Sequence, residues 1–158
     1  MTPPDFRHIT VAVDGSEHAN AALEIAIDLA RRYGSQLEVV AVAPLQPVMM
    51  APNEPFVAAA LPPTDRPRFQ AIVEAAVKRA EAAGVTSVTG VCSDGVVVDE
   101  LLGELEEHTP DLLVIGSRGL SAAKRLLIGS VSAAMVNHAP CPVLVVRPPT
   151  RSTKPAAR

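Results

Sequence analysis

Two stretches of this 158-residue chain carry residue types suited to holding an anion. The longer runs Gly116-Ser117-Arg118-Gly119, then nine residues, then Gly129-Ser130-Val131-Ser132. Glycine reaches backbone angles closed to other residues and leaves room for a phosphate oxygen beside the amides, so Gly116, Gly119 and Gly129 read as the walls of a phosphate cradle. A helix beginning after Gly129 would supply free N–H groups and the positive end of its dipole, and the Ser130 and Ser132 hydroxyls would add donors. Lys124 and Arg125 either neutralise charge nearby or are simply solvated. The shorter stretch, Asp14-Gly15-Ser16, offers a carboxylate for hydrogen bonds and a glycine for a tight turn. Neither GxxxxGK[ST] nor GxGxxG occurs, which sets aside the Walker A loop and the dinucleotide fingerprint.

Both stretches follow apolar runs that read as strands. Ile9 to Val13 is β-branched and ends on turn residues; Leu37–Ala43, Val85–Val91, Leu112–Ile115 and Val143–Val146 are four more such runs. Between them lie helical patterns. Ala19, Ala22, Leu23, Ala26, Ile27 and Ala30 recur at three- and four-residue steps between a Ser16 N-cap and Gly34. Phe69 to Ala80 repeats the pattern and stops at Gly84, Val97 to His108 carries Leu101, Leu102 and Leu105, and a last helix covers Ser130 to His138. Strands alternating with helices predict an α/β fold, a single doubly wound domain with a five-stranded parallel sheet and helices on both faces. In such a sheet ligands sit beyond the carboxyl ends of the strands, which is where both anion-binding stretches fall.

Composition narrows the partners. One domain over 1–147 is expected, interrupted by a proline-rich flap at 44–67 and followed by a disordered basic tail at 148–158. Four of the fourteen basic residues lie at Arg147 and beyond, leaving ten against seventeen acidic residues in the body. That balance argues against nucleic-acid binding. No apolar run approaches the roughly 20 residues that cross a bilayer, and the first eight residues lack a secretory signal, so a cytoplasmic protein away from the membrane is expected. Cys92 and Cys141 lack CxxC spacing and read as buried reduced thiols. The four histidines show no close ligand spacing, so no protein-built metal site is expected.

Three stretches together give the chain a resemblance to the universal stress protein family, in its ATP-binding branch: Val11 to Ser16, the Gly116 to Ser132 segment, and His138-Ala139-Pro140-Cys141-Pro142 leading into Val143 to Val146. The resemblance implies strand order 3-2-1-4-5. It also implies a nucleotide site of Ala12, Val13, Asp14, Val42, Ile115, Gly116, Ser117, Arg118, Gly119, Gly129, Ser130, Val131 and Ser132, with Asp14 near the ribose and adenine, Val42 against the base and the glycines around the phosphates. Asp94-Gly95-Val96 departs from the family's usual Gly-x-Pro, and His18 and Asn20 stand where small hydroxyl residues are common. His18 reads as a partly exposed helix residue.

ATP is the expected ligand, with or without Mg²⁺, because the extended loop suits several phosphates. AMP or cyclic AMP is an alternative. Neither a Walker B carboxylate nor an evident general base accompanies the loop, so a binding-dependent stress response is expected and weak ATP hydrolysis at most. Phosphorylation of Ser121, Ser130 or Ser132 and a scaffold role without nucleotide are further alternatives. Strand Val143–Val146 falls at a sheet edge in the implied order, which predicts a homodimer through it; any protein partner is unspecified.

Overall fold

A computed structural model describes residues 5–45, 65–120 and 128–149. The elements alternate along the chain: β1 His8–Ala12, α1 Glu17–Tyr33, β2 Gln36–Pro44, α2 Arg66–Ala82, β3 Val88–Gly95, α3 Val97–His108, β4 Leu112–Gly116, α4 Ser130–His138 and β5 Val143–Val146. All neighbouring strands pair parallel in the order β3-β2-β1-β4-β5. The fold is therefore the expected doubly wound α/β sheet.

Strand alternation sorts the core into two layers. Ile9, Val11, Leu37, Val39, Ala41, Leu112 and Val114 face α1 and α2, while Val40, Val42, Leu113 and Ile115 face α3 and α4. The apolar stripe read from α1 is buried residue for residue, and the helix is held at both ends: Ser16 Oγ accepts from Ala19 N–H, and Gly34 closes it in the left-handed region at φ 66°. Burial falls off at the sheet edges, where β3 and β5 are mostly half-exposed.

One boundary differs from the sequence reading. Val85 belongs to the turn that ends α2, not to a strand: Gly84 N–H bonds the Glu81 carbonyl, Val85 N–H bonds Ala80, and Gly84 sits at φ 94°. This is a Schellman closure, in which the residue after the glycine makes an apolar contact back to the helix. Its β-branched side chain therefore imitated a strand start. At the other end β3 runs on through Cys92–Gly95, because those residues pair with Ala41–Pro44 of the long β2.

Pro44 ends β2 and Arg66 and Pro67 open α2, so both ends of the segment expected as a flap are regular structure. The rest of the flap, 46–64, and the tail from 150 lie outside the described residues. Among the described residues no helix is long and apolar enough to cross a membrane. Both cysteines are free and half-buried rather than fully buried, and burial pushes both thiols up, away from the reactive thiolate.

Candidate functional site

A cavity of about 430 Å³ opens beyond the carboxyl ends of β1, β2 and β4. It has two kinds of wall. Val40 and Val42 of β2, Phe69 of α2, Val97 and Leu101 of α3 and Ile115 of β4 make an apolar slot. Asp14, Arg118, Gly119, Gly129, Ser130 and Val131 make the polar end, and Ala12, Val13, Gly116 and Ser132 lie between. Of the thirteen residues expected at a nucleotide, the cavity brings together all but Ser117.

The polar end is assembled by hydrogen bonds that cross between loops. Gly129 N–H donates to the Ser117 carbonyl at 2.7 Å, and Ser117 N–H donates to the Val146 carbonyl at 2.7 Å. The long loop is thus pinched shut at its base. Asp14 ties the two loops together: Oδ1 accepts from Ser16 N–H at 2.9 Å and Oδ2 accepts from Leu120 N–H at 3.1 Å. A carboxylate that accepts backbone N–H bonds on both oxygens is oriented before any ligand arrives.

Gly129 precedes α4 as its N-cap, in extended backbone with no side-chain bond. The Ala133 N–H to Gly129 carbonyl bond is the first turn of the helix. The N–H groups of Ser130, Val131 and Ser132 precede it and have no helical carbonyl to bond, so they face the cavity end of the axis as donors.

Three details differ from the sequence reading. None of Gly116, Gly119 and Gly129 has a positive φ; among the described glycines only Gly15, Gly34 and Gly84 do. What Gly116 and Gly119 supply instead is close approach. A Cβ on Gly116 would fall 2.6 Å from the His18 carbonyl carbon and 2.8 Å from Ala19 N, both backbone of α1. A Cβ on Gly119 would fall 2.7 Å from Asp14 Oδ2. Gly116 is therefore required by helix packing, and a side chain at 119 would push the Asp14 carboxylate out of its brace; neither glycine is there for conformational freedom.

The hydroxyls differ too. Ser132 is buried, and its Oγ donates to the Gly116 carbonyl at 2.6 Å, which spends its proton inside the fold. Ser117 is buried behind the cavity, its Oγ 2.8 Å from His18 Nδ1. His18 is the partly exposed helix residue expected, and it also braces α1 to the residue after β4, a contact that no spacing in the sequence could announce because the partners lie 99 residues apart. Of the serine hydroxyls read as donors, Ser130 keeps an exposed one on the cavity wall. Phe69, Val97 and Leu101 line the slot without having been singled out; each sits on a helix face whose apolar spacing signals only core. Ser121, Lys124 and Arg125 lie outside the described residues.

Comparison with known proteins places this architecture. The model of the universal stress protein family matches residues 5–147. A universal stress protein of Thermus aquaticus is 36% identical over 145 residues, covering 90% of this chain and 99% of that one. Among solved structures, a universal stress protein in complex with cAMP superposes with a TM-score of 0.68 at 26% identity, covering 90% of this chain and 98% of the other. An Arabidopsis thaliana family protein with AMP bound shares the fold with a TM-score of 0.62 at 22% identity, covering 95% and 97%. With the family model spanning nearly the whole chain and the sheet order matching that fold, the chain belongs to the universal stress protein family.

Proposed function

We propose that this protein is a cytoplasmic regulatory module of the stress response that binds ATP in the cavity beyond β1, β2 and β4. The observation that carries the reading is the joining of an apolar slot to a helix start within one cavity of about 430 Å³. A planar base gains by leaving water for the slot beside Val42, and phosphates gain from amides already aimed at them. Arg118 adds a cation on the same wall. The relative solved with cAMP supports an adenine nucleotide. ATP is preferred because the donors of α4 and the 116–119 turn together suit several phosphates.

Asp14 is the carboxylate that lines the cavity among the described residues, and it already accepts two backbone N–H groups. Any Mg²⁺ would therefore arrive on the ATP phosphates. The chain's own contribution is to bind, orient and signal occupancy. In this reading the exposed edge of β5, with Leu144 pointing outward, pairs with a second copy to form a homodimer; sedimentation equilibrium showing only monomer at micromolar concentration would remove that part.

The test is direct. Nucleotide carried through purification is identified by mass spectrometry, and the stripped protein is titrated with ATP, ADP, AMP and cyclic AMP. One ATP per chain with affinity falling toward AMP is expected. Tighter binding of AMP or cyclic AMP would replace ATP with a monophosphate ligand, and no binding of any would reject the site.

A further inference from the structure

At the amino end of the sheet, opposite the cavity, a buried carboxylate faces a group of metal-ligating atoms. Glu38 is the third residue of β2 and only 5% exposed, in a strand otherwise buried as alanine and valine or leucine. By strand alternation it shares the α3 face with His8 and Thr10 of β1. Its Oε2 accepts from Thr10 Oγ1 at 3.0 Å. Its Oε1 lies 2.9 Å from His108 Nδ1, and His108 Nδ1 lies 3.4 Å from Glu104 Oε2, one turn back along α3. His8 Nε2 stands 3.8 Å from Glu38 Oε2.

Burying a carboxylate is costly unless a cation compensates it. Among the described residues the ion-pair partners of Glu38 are His8 and His108, with no lysine or arginine. Two nitrogens of this cluster, His108 Nδ1 and His8 Nε2, are cut off from solvent and make no hydrogen bond. They converge on Glu38 without donor–acceptor geometry. One atom each from Glu38, Glu104 and His108 fit within 4.8 Å of one another. Two ligands on one tetrahedral zinc stand roughly 3.4 Å apart, given bonds of about 2.0–2.2 Å.

We propose that Glu38, Glu104 and His108 form a binding site for a divalent first-row transition metal of the zinc class. An imidazole among the ligands favours such a metal over Mg²⁺ or Ca²⁺, and the absence of thiolate from the set excludes a copper(I) preference. The ion would compensate Glu38 and join β2 to the last turn of α3. Because Leu101 near the other end of α3 lines the cavity, the metal would fix the helix that walls the adenine slot.

The experiment uses untagged, chelator-treated full-length protein. Zn²⁺ is titrated calorimetrically, and Co²⁺ is added separately to read its visible d–d absorption. One Zn²⁺ per chain, a raised melting midpoint and a Co²⁺ spectrum with nitrogen and oxygen ligation are expected. Glu38→Gln and His108→Ala should each weaken Zn²⁺ by about tenfold or more, while His138→Gln, at an exposed histidine on α4, leaves it unchanged. His108 is partly exposed, so its alanine variant keeps the test alive if Glu38→Gln fails to fold. Absence of Zn²⁺ binding to the wild type, or undiminished binding in a folded His108→Ala, would overturn the proposal and leave the His108 imidazole itself as the neighbour of Glu38.

Discussion

The two ends of the sheet are built on opposite plans. At the carboxyl end the polar groups are mainly backbone amides, set by the close approach of Gly116 to α1 and of Gly119 to Asp14 and braced by Asp14 and Ser132. At the amino end they are side chains, two carboxylates and two imidazoles contributed by β1, β2 and α3. Amides in a loop can surround an extended anion. Convergent side chains around a buried charge instead suit a small cation. The same parallel sheet therefore offers opposite electrostatic environments at its two ends, with α3 running between them.

The comparison breaks most forcefully at Gly116. Valine there would drive side-chain atoms into the backbone of α1 at His18 and Ala19. Gly116→Val is expected to cost about 3 kcal/mol or more of stability, measured by urea denaturation. A folded variant of wild-type stability would mean that the approach of β4 to α1 is looser than described. Because the damage falls on the fold, this substitution cannot serve as a clean probe of ligand access.

That distinction also marks how far the sequence could be read. The Gly116 to Ser132 pattern is contiguous, so it announced the polar wall, and the strand and helix periods announced the sheet that carries it. The reason for Gly116 was hidden, because what it avoids is a helix almost a hundred residues earlier. His18 with Ser117 was hidden for the same reason. At the amino end, Glu38 lies inside the run read as an apolar strand and His108 at the close of the run read as a helix; only the parallel register puts His8 beside Glu38. Val85 shows the opposite error, a local signal that was genuine but belonged to a helix cap.

Asp14→Asn probes the brace of the polar end. The amide can accept from one N–H but presents a donor to the other, so either Ser16 or Leu120 loses its partner. A loss of about 1–2 kcal/mol is expected, together with weaker ATP binding and faster amide exchange at Leu120. Unchanged exchange at Leu120 would show that the brace is dispensable. Smaller still is Ser16→Ala, which removes the bond to Ala19 N–H that caps α1. It should cost about 1 kcal/mol and leave ATP affinity near wild type; a large loss of binding would give Ser16 a part in the site itself.

Titrating ATP into the wild type and Ser130→Asp side by side tests whether the start of α4 holds the phosphates. Ser130 is exposed at the first position of α4 on the cavity wall. A carboxylate there favours the helix dipole and so should preserve or raise the melting midpoint, while its charge opposes phosphate. ATP affinity is expected to fall by about tenfold or more in a variant at least as stable as the parent. Equal ATP affinity in that stable variant would contradict a phosphate site at the start of α4.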